Sequence, residues 1–194
     1  MGISLLRAAD HRRMPWKNGG GETVEIAVFP PDAGFSDFDW RVSMAKVAGD
    51  GPFSIFPDID RTLCVLDGNG IALSIDQQDA LHLDATSEPL LFPADVPVSA
   101  RLVNGPITDL NIMTRRSHFT HTVRRLHIER ETTLSVTGMP AMIFCHIGTM
   151  RVNGDGLAAQ LGCLDCLLLI NVAEKPLRFS GVGTVFIIEI RPER

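Results

Sequence analysis

The sequence predicts an all-β fold, and three observations support this prediction. Short runs rich in β-branched and other apolar residues recur along the whole 194-residue chain. Clusters of Gly, Pro, Asp and Asn, which favour tight turns, separate these runs. No segment sustains the apolar period of an amphipathic helix. The chain is 45% hydrophobic, which is enough to bury a core.

The predicted strands and turns alternate along the chain. The strands are 23–29, 40–47, 62–66, 71–75, 90–92, 98–103, 107–114, 123–128, 142–147, 149–153, 167–171, 176–180 and 184–191. The clearest turns are 30–34, 48–52, 67–70 and 153–156. The turn at 67–70, Asp-Gly-Asn-Gly, predicts a β-hairpin that joins the run 63–66 to the run 71–75.

The first predicted strand, 23–29, follows an unusual run of residues. Trp16 precedes Lys17, Asn18 and three consecutive glycines. Because ordering a glycine costs backbone entropy, such a run indicates positive φ angles or a close approach of the backbone. One interpretation is a loop that folds over a small-molecule pocket, with Glu25 pointing into it. The alternative is a flexible turn before an edge strand.

The second predicted strand, 40–47, carries an arginine and a hydroxyl on the same face. Side chains alternate along a strand, so Arg41 and Ser43 lie opposite Trp40 and Val42. A guanidinium group offers a planar fork of donors that fits a carboxylate. These two residues therefore indicate an anion clamp, and the alternative is a solvated strand face.

Arg61 begins the next apolar run, next to two acidic residues and an aromatic segment. Asp58 and Asp60 precede Arg61, and Phe53 begins the segment 53–57 before them. Two interpretations stay open. Arg61 forms a structural ion pair with one of the two aspartates, or it reaches a ligand while Asp60 holds it in place.

Asn111 is a polar residue inside a predicted central strand, 107–114. It shares a face with Asp109 and Met113. An amide buried there without hydrogen-bond partners would cost about 1–3 kcal/mol. The corresponding position in the second half of the chain, near Ile188, is apolar. This asymmetry predicts a polar cup in the first half and a filled core in the second.

The strand pattern repeats at an offset of roughly 80 positions, which is the size of a domain duplication. Two tandem β-sandwich or jelly-roll units would explain it, with the join at 115–122. We therefore expect an N-terminal unit, 1–116, that carries the ligand site, and a mainly structural C-terminal unit, 117–194. The alternative is chance similarity between β-hairpins.

Composition excludes several classes of protein. The net charge is −5 and the isoelectric point is about 5.6, whereas a nucleic-acid surface normally carries a basic stripe. The apolar runs, such as 167–170, are far shorter than a membrane helix. The N-terminus lacks the pattern of a signal peptide. Four cysteines are too few for a disulfide scaffold, so we expect a reduced, cytoplasmic protein.

The histidines and cysteines do not predict a metal site. Adjacent Cys145 and His146 point to opposite faces of a strand, and so do Cys163 and Cys166 at their odd spacing. Zinc needs about four convergent ligands. Buried, inert thiols are expected, and a catalytic Cys–His pair stays open as an alternative.

Several motifs together resemble one known family. They are Pro15-Trp-Lys-Asn-Gly-Gly-Gly21 with Thr23 and Glu25, Trp40-Arg-x-Ser43, Asp50-Gly-Pro-Phe-Ser54, Phe56-Pro57, Asp60-Arg-Thr62 and Asn111-x-Met-Thr-Arg-Arg116. This set resembles the HutD/Ves family over most of the chain, most densely from 14 to 116. The resemblance implies a bicupin fold, which consists of two tandem cupin jelly-roll units.

The resemblance also implies a function. Many bacteria encode such proteins beside genes for histidine utilisation, where they are proposed to sense or govern that pathway by binding urocanate or a formylated glutamate. The Ves branch is associated with cold response and has no established chemistry. Metal-dependent cupins carry a His-x-His pair, which this sequence lacks, so the resemblance implies metal-free binding with no cofactor.

We therefore expect the N-terminal unit to bind a small carboxylate metabolite. The predicted contacts are an anion clamp of Arg41 and Arg61, hydrogen bonds from Ser43, Asn111 and Asn18, an imidazole acceptor at Glu25, walls of Trp16 and Phe53, and a cap at Lys17. A metal-free isomerase or hydrolase with Glu25 as general base is the alternative. A protein-interaction module is a third class, and a homodimer is an option that the sequence leaves open.

Overall fold

The computed structural model describes residues 2–16, 20–170 and 175–193. β-strands dominate these ranges, which contain one short 3₁₀ turn at Ala8–Asp10 and no α-helix. The all-β prediction is confirmed. None of the described segments is a helix of the length and hydrophobicity that crossing a bilayer requires.

The strands are numbered in chain order. They are β1 (Gly2–Leu6), β2 (Arg12–Pro15), β3 (Gly21–Phe29), β4 (Trp40–Val47), β5 (Gly51–Pro52), β6 (Ile59–Asp67), β7 (Ile71–Ile75), β8 (Leu81–Leu83), β9 (Leu90–Pro93), β10 (Val98–Leu102), β11 (Ile107–Arg115), β12 (Phe119–Ile128), β13 (Thr132–Val136), β14 (Ala141–Gly154), β15 (Leu157–Leu161), β16 (Cys166–Ile170) and β17 (Lys175–Pro192).

These strands form three sheets among the described residues. The first has the order β2-β3-β4-β11-β6-β9, and the second has the order β5-β10-β7-β8. The third has the order β1-β16-β14-β17-β12, with β13 paired to β17 and β15 paired to β14. Most neighbours are distant in sequence, so the fold depends on long-range pairing.

The chain divides into two compact units. The N-terminal unit comprises the described parts of 12–120 together with Glu193, and the C-terminal unit comprises 2–11 and the described parts of 121–192. The sequence predicts that the first eleven residues belong to the N-terminal unit. They lie in the other one because β1 pairs with β16, and Leu5 packs against the core of the C-terminal unit.

The prediction of a β-hairpin at 67–70 is wrong. The strands on either side of it, β6 and β7, lie in different sheets, and β7 pairs with β8 and β10 instead. The turn still needs its glycines, because Gly68 and Gly70 have φ angles of 97° and 111°. Apolar residues of both strands pack in one core, so the chain crosses from one sheet to the other.

Other differences from the prediction concern where strands begin and end. The turn at 153–156 does form a hairpin, between β14 and β15. The two predicted strands 142–147 and 149–153 are one strand, β14, with a register shift between Cys145 and Ile147. In the same way, β17 spans two predicted strands. Six strands were not predicted, namely β1, β2, β5, β8, β13 and β15.

The core of the N-terminal unit joins its two sheets. Buried residues of β4, β6, β9 and β11 meet those of β7 and β10; they are Ala45, Val47, Leu63, Val65, Phe92, Ile107, Ile71, Leu73, Ile75, Val98 and Ala100. On β4 the same face continues from Val47 and Ala45 to Ser43 and Arg41. The inward face of this sheet therefore changes from apolar to polar along its strands.

The C-terminal unit contains an apolar core. Its buried members come from β12 to β17 and include Phe179, Ile143, Val152, Leu167 and Ile187. Phe144 and Phe186 are also buried, with ring centroids 6.3 Å apart, but they do not belong to this cluster, because they alternate with its members along β14 and β17.

Candidate ligand-binding site

A cavity of about 610 Å³ lies at the polar end of the inward face, entirely within the N-terminal unit. The described residues that line it are Met14, Pro15, Trp16, Thr23, Phe35, Arg41, Ser43, Ala45, Val47, Pro52, Phe53, Ser54, Phe56, Arg61, Asp109, Asn111 and Met113. Six of the nine predicted site residues are therefore brought together: Trp16, Arg41, Ser43, Phe53, Arg61 and Asn111. Lys17 and Asn18 lie outside the described residues.

Strand register explains why these residues meet. The central strand β11 pairs with β4 on one side and β6 on the other. Met113 lies opposite both Arg41 and Arg61, and Asn111 lies opposite Ser43. Directly opposed residues share a face of the sheet, so the polar side chains form neighbouring rows.

Arg61 is buried on the cavity wall, with 6% of its surface exposed. Its guanidinium carbon lies 5.2, 5.4 and 5.9 Å from the ring centroids of Phe53, Phe56 and Phe92. The buried Nε atom has no hydrogen-bond partner among the described residues. Desolvation lowers the Arg61 pKa to about 10, against the opposing effect of Asp109. The group is still a cation at neutral pH, and it retains an unused donor.

The two aspartates close to Arg61 in sequence, Asp58 and Asp60, are engaged by other residues. Asp60 pairs with Arg116, whose Nη2 lies 2.8 Å from the carboxylate. Asp58 accepts a hydrogen bond from Ser117 at 2.5 Å. The described contacts therefore include no structural ion pair between Arg61 and either of these aspartates. The other interpretation, in which Arg61 reaches a ligand, stays open.

Asp109 is a cavity residue that the sequence analysis did not assign to the site. It is 1% exposed and accepts a hydrogen bond of 2.6 Å from Asn111 Nδ2. Desolvation raises the Asp109 pKa to about 7, although Arg61, Asn111 and the Ala45 amide all favour the charged form. The alternation that places Asp109 beside Asn111 was available from sequence, but its proximity to Arg61 was not.

Arg41 makes the strongest ion pair of the site. Its Nε atom lies 2.7 Å from Glu25 Oε2, and both side chains are largely buried. Arg12 approaches the same carboxylate at 3.8 Å, and the Phe35 ring lies 4.5 Å from the guanidinium carbon of Arg41. Glu25 is not among the described residues that line the cavity. The structure places it against Arg41, because it lies opposite Ser43 on the neighbouring strand.

Trp16 is held in place at one side of the cavity. Its indole Nε1 donates to Thr23 Oγ1 at 2.8 Å, and its backbone amide donates to the carbonyl of Gly21 at 2.9 Å. A Cβ atom at Gly21 would collide with the Lys46 carbonyl and lie 3.0 Å from the Trp16 ring. This close approach explains why a glycine is required at position 21, the last of the three consecutive glycines.

We expect Gly21→Ala to destabilise the protein by about 1–3 kcal/mol and to displace Trp16, because the added methyl group has no room. Denaturant unfolding measures the first effect. Trp16 fluorescence, in a background with Trp40→Phe, measures the second. Gly49→Ala is the matched control, since nothing lies within 4 Å of the place where its methyl group would stand. Equal effects of the two substitutions would contradict the explanation.

Two of the cysteines, Cys145 and Cys166, have buried thiols that are not activated as nucleophiles. Burial raises the pKa of Cys145 to about 11 and that of Cys166 to about 12, so both thiols stay protonated at neutral pH. Cys163 is exposed, which differs from the expectation of buried thiols, and its thiol donates to the His146 carbonyl. Among the described residues, no three His, Cys, Asp or Glu side chains cluster in a way that could hold a metal ion.

Known proteins resemble this chain in sequence. A family model described as HutD matches residues 8–187. Protein Ves of Citrobacter koseri is 42% identical over 157 residues, which are 79% of each chain. An uncharacterised 21.2 kDa protein from the hutC 3′ region of Pseudomonas putida is 33% identical over 168 residues, which are 86% of each chain. The family is thus linked to a histidine-utilisation region.

Solved structures resemble it in fold. HutD from Pseudomonas fluorescens SBW25 is 32% identical, with a TM-score of 0.84 and full coverage of both chains. YhhW from Escherichia coli has a TM-score of 0.72 at 10% identity and covers 100% of this chain and 99% of that one. Such distant likenesses show a cupin-like fold. The family model spans nearly the whole chain and agrees with the relatives above 30% identity, and the chain therefore belongs to the HutD family.

Proposed function

We propose that this protein binds a small carboxylate metabolite, without a metal ion, in the cavity of its N-terminal unit. We further propose that it acts in the cytoplasm as a sensor or regulator of histidine utilisation, with urocanate or a formylated glutamate as its ligand. In this proposal the two units are tandem cupin units, 1–116 and 117–194 in the sequence prediction, and the second is mainly structural.

One observation carries the proposal, namely the buried Arg61 on the cavity wall, whose Nε atom has no hydrogen-bond partner among the described residues. A charged group removed from water is costly unless it is paired and hydrogen-bonded. Arg61 is 6% exposed, its Nε has no partner among the described residues, and it lines a cavity. A ligand carboxylate in the cavity would supply an acceptor and a negative charge to the guanidinium group.

The size and lining of the cavity also suit a small, partly apolar ligand. Its volume of about 610 Å³ falls within the range of small-molecule sites, which is about 300–1,000 Å³. Aromatic and other apolar side chains surround the few polar groups, as is usual for such sites. Ser43 and Asn111 lie in the row beside the arginines and would hydrogen-bond the ligand.

Isothermal titration calorimetry with urocanate, N-formylglutamate, formiminoglutamate and histidine tests the proposal. We expect one of the first three to bind, and Arg61→Met to weaken that binding by at least about 30-fold, since a desolvated charge pair is lost. Arg101→Met is the matched control, because Arg101 is an exposed arginine on β10. The proposal fails if none of these compounds binds at millimolar concentration, or if Arg61→Met binds as tightly as Arg101→Met.

A metal-free enzyme is the second candidate function, and one observation favours it. Asp109 has a pKa of about 7 in the cavity wall, which suits a general acid or base at neutral pH. It would take the role that the sequence analysis gave to Glu25, whose carboxylate is engaged by Arg41. An NMR time course of the bound metabolite distinguishes the two functions, because a binding protein leaves the ligand unchanged.

A further inference from the structure

The cavity contains an unusual balance of charges. Among the described residues that line it, the titratable side chains are Arg41, Arg61 and Asp109. Arg41 is neutralised by Glu25 at 2.7 Å. Arg61 has no such short ion pair in the described structure, and Asp109 supplies the negative charge that acts on it. One cation and one buried carboxyl therefore balance each other in the cavity wall.

The surroundings of Asp109 define which groups act on its charge. Arg61 on β6 lines the same cavity and favours the charged form of Asp109 through its positive charge. Arg41 on β4 also lines the cavity, and it is paired with Glu25 of β3. On its own strand Asn111 donates to it, and the backbone amide of Ala45 on β4 favours its charged form. These few donors compete with almost complete burial, which favours the neutral carboxylic acid.

We propose that Asp109 is the internal counter-anion of Arg61, that a ligand carboxylate replaces it in this role, and that Asp109 takes up one proton from solvent as the ligand binds. The inference rests on the proposed function, and it names the groups that couple that function to pH. No covalent bond of the ligand changes, and the proton comes from bulk water.

The physical reason is that two carboxylates cannot share one buried guanidinium without cost. A second negative charge at Arg61 repels the first, so the pKa of Asp109 rises further when the ligand is bound. In the free protein Asp109 is partly ionised near pH 7. In the complex we expect it to be protonated. Asp109 is thus a positioning residue, because it acts on the ligand through the charge of Arg61.

The direction of the pH dependence follows from this scheme. Below about pH 6 the carboxyl is already protonated in the free protein, so the dissociation constant does not depend on Asp109. Above about pH 7 the proton must be taken up, and binding weakens by at most about tenfold per pH unit. N-formylglutamate is a suitable probe, since its carboxyl groups titrate near pH 4 and not in this range.

Calorimetry in two buffers with different ionisation enthalpies counts the protons that bind with the ligand. For the wild-type protein at pH 8 we expect an uptake approaching one proton per N-formylglutamate. For Asp109→Asn we expect no uptake, and binding at pH 8.5 about tenfold or more tighter than in the wild type, because the amide mimics the neutral acid. Asp95→Asn, at an exposed ion pair with Arg116, should leave the uptake unchanged.

Each result has a distinct meaning. If the wild type binds without proton uptake, or if Asp109→Asn weakens binding at pH 8.5, the inference is overturned while the proposed function stands. If the wild type binds none of the compounds, the proposed function fails. The stability of the ligand-free protein gives an independent readout: Asp109 binds more protons in the folded state, so its contribution to stability falls as pH rises from about 4 to 7. This pH-dependent fall in stability between about pH 4 and 7 should disappear in Asp109→Asn.

Discussion

Replacing Glu25 with leucine is expected to lower the free energy of unfolding by about 3–5 kcal/mol, because it leaves the buried guanidinium of Arg41 without its partner. The exposed fractions of the Glu25 and Arg41 side chains are 10% and 5%, so bulk water is a poor substitute for the lost carboxylate. Denaturant unfolding measures the change as a shift of the midpoint at constant slope.

A double substitution separates the pair interaction from packing. Removing both charges, as Glu25→Leu with Arg41→Met, should recover most of the lost stability, because a hydrophobic pair of similar volume is often neutral or better. The matched control is Glu22→Leu on the same strand. Its ion pair with Arg13 is mostly exposed, so it should change stability by no more than about 1 kcal/mol. Equal effects of Glu25→Leu and Glu22→Leu would contradict this view of the Arg41 pair.

The second large effect is expected in the C-terminal unit. Phe179 on β17 is fully buried among the residues of its core. Phe179→Ala should cost about 3–5 kcal/mol, since it removes a large apolar side chain and leaves a cavity that the core fills only in part. This is a large fraction of the stability of a typical domain, which is about 5–15 kcal/mol.

An exposed position on the same strand provides the control for this prediction. Val182 is 65% exposed, so Val182→Ala should change stability by no more than about 0.5 kcal/mol. Urea unfolding of both variants measures the difference. A loss in Phe179→Ala as small as that in Val182→Ala would show that this core tolerates the missing ring.

The strand prediction was accurate where turn residues bound a mostly apolar run, whether one face of the strand is buried, as in β7, or both, as in β4. β4 and β7 have the predicted bounds, 40–47 and 71–75, because turn residues flank them. The strands that were not predicted are short or mostly exposed, as in β8 and β15. Their residues lack a strong pattern, and pairing with a neighbouring strand makes them extended.

The error at 67–70 has a physical reason. An Asp-Gly-Asn-Gly turn specifies φ angles, which Gly68 and Gly70 adopt, but it does not specify which strands pair beyond it. The choice between a hairpin and a crossing to a second sheet depends on where the apolar faces of β6 and β7 are buried. They are buried in one core between the sheets, together with residues far away in sequence.

By itself, the sequence determined the all-β class and the face on which each polar strand residue lies. Alternation is a local property of the backbone, so Arg41 with Ser43, and Asn111 with Asp109, could be assigned to their faces from residue order alone. Only the tertiary structure decided which of these faces meet, because register between β4, β11 and β6 is set by long-range packing. That register leaves Glu25 as the partner of Arg41 and makes Asp109 the charge that acts on Arg61. Burial, which no single segment specifies, is what raises the pKa of Asp109.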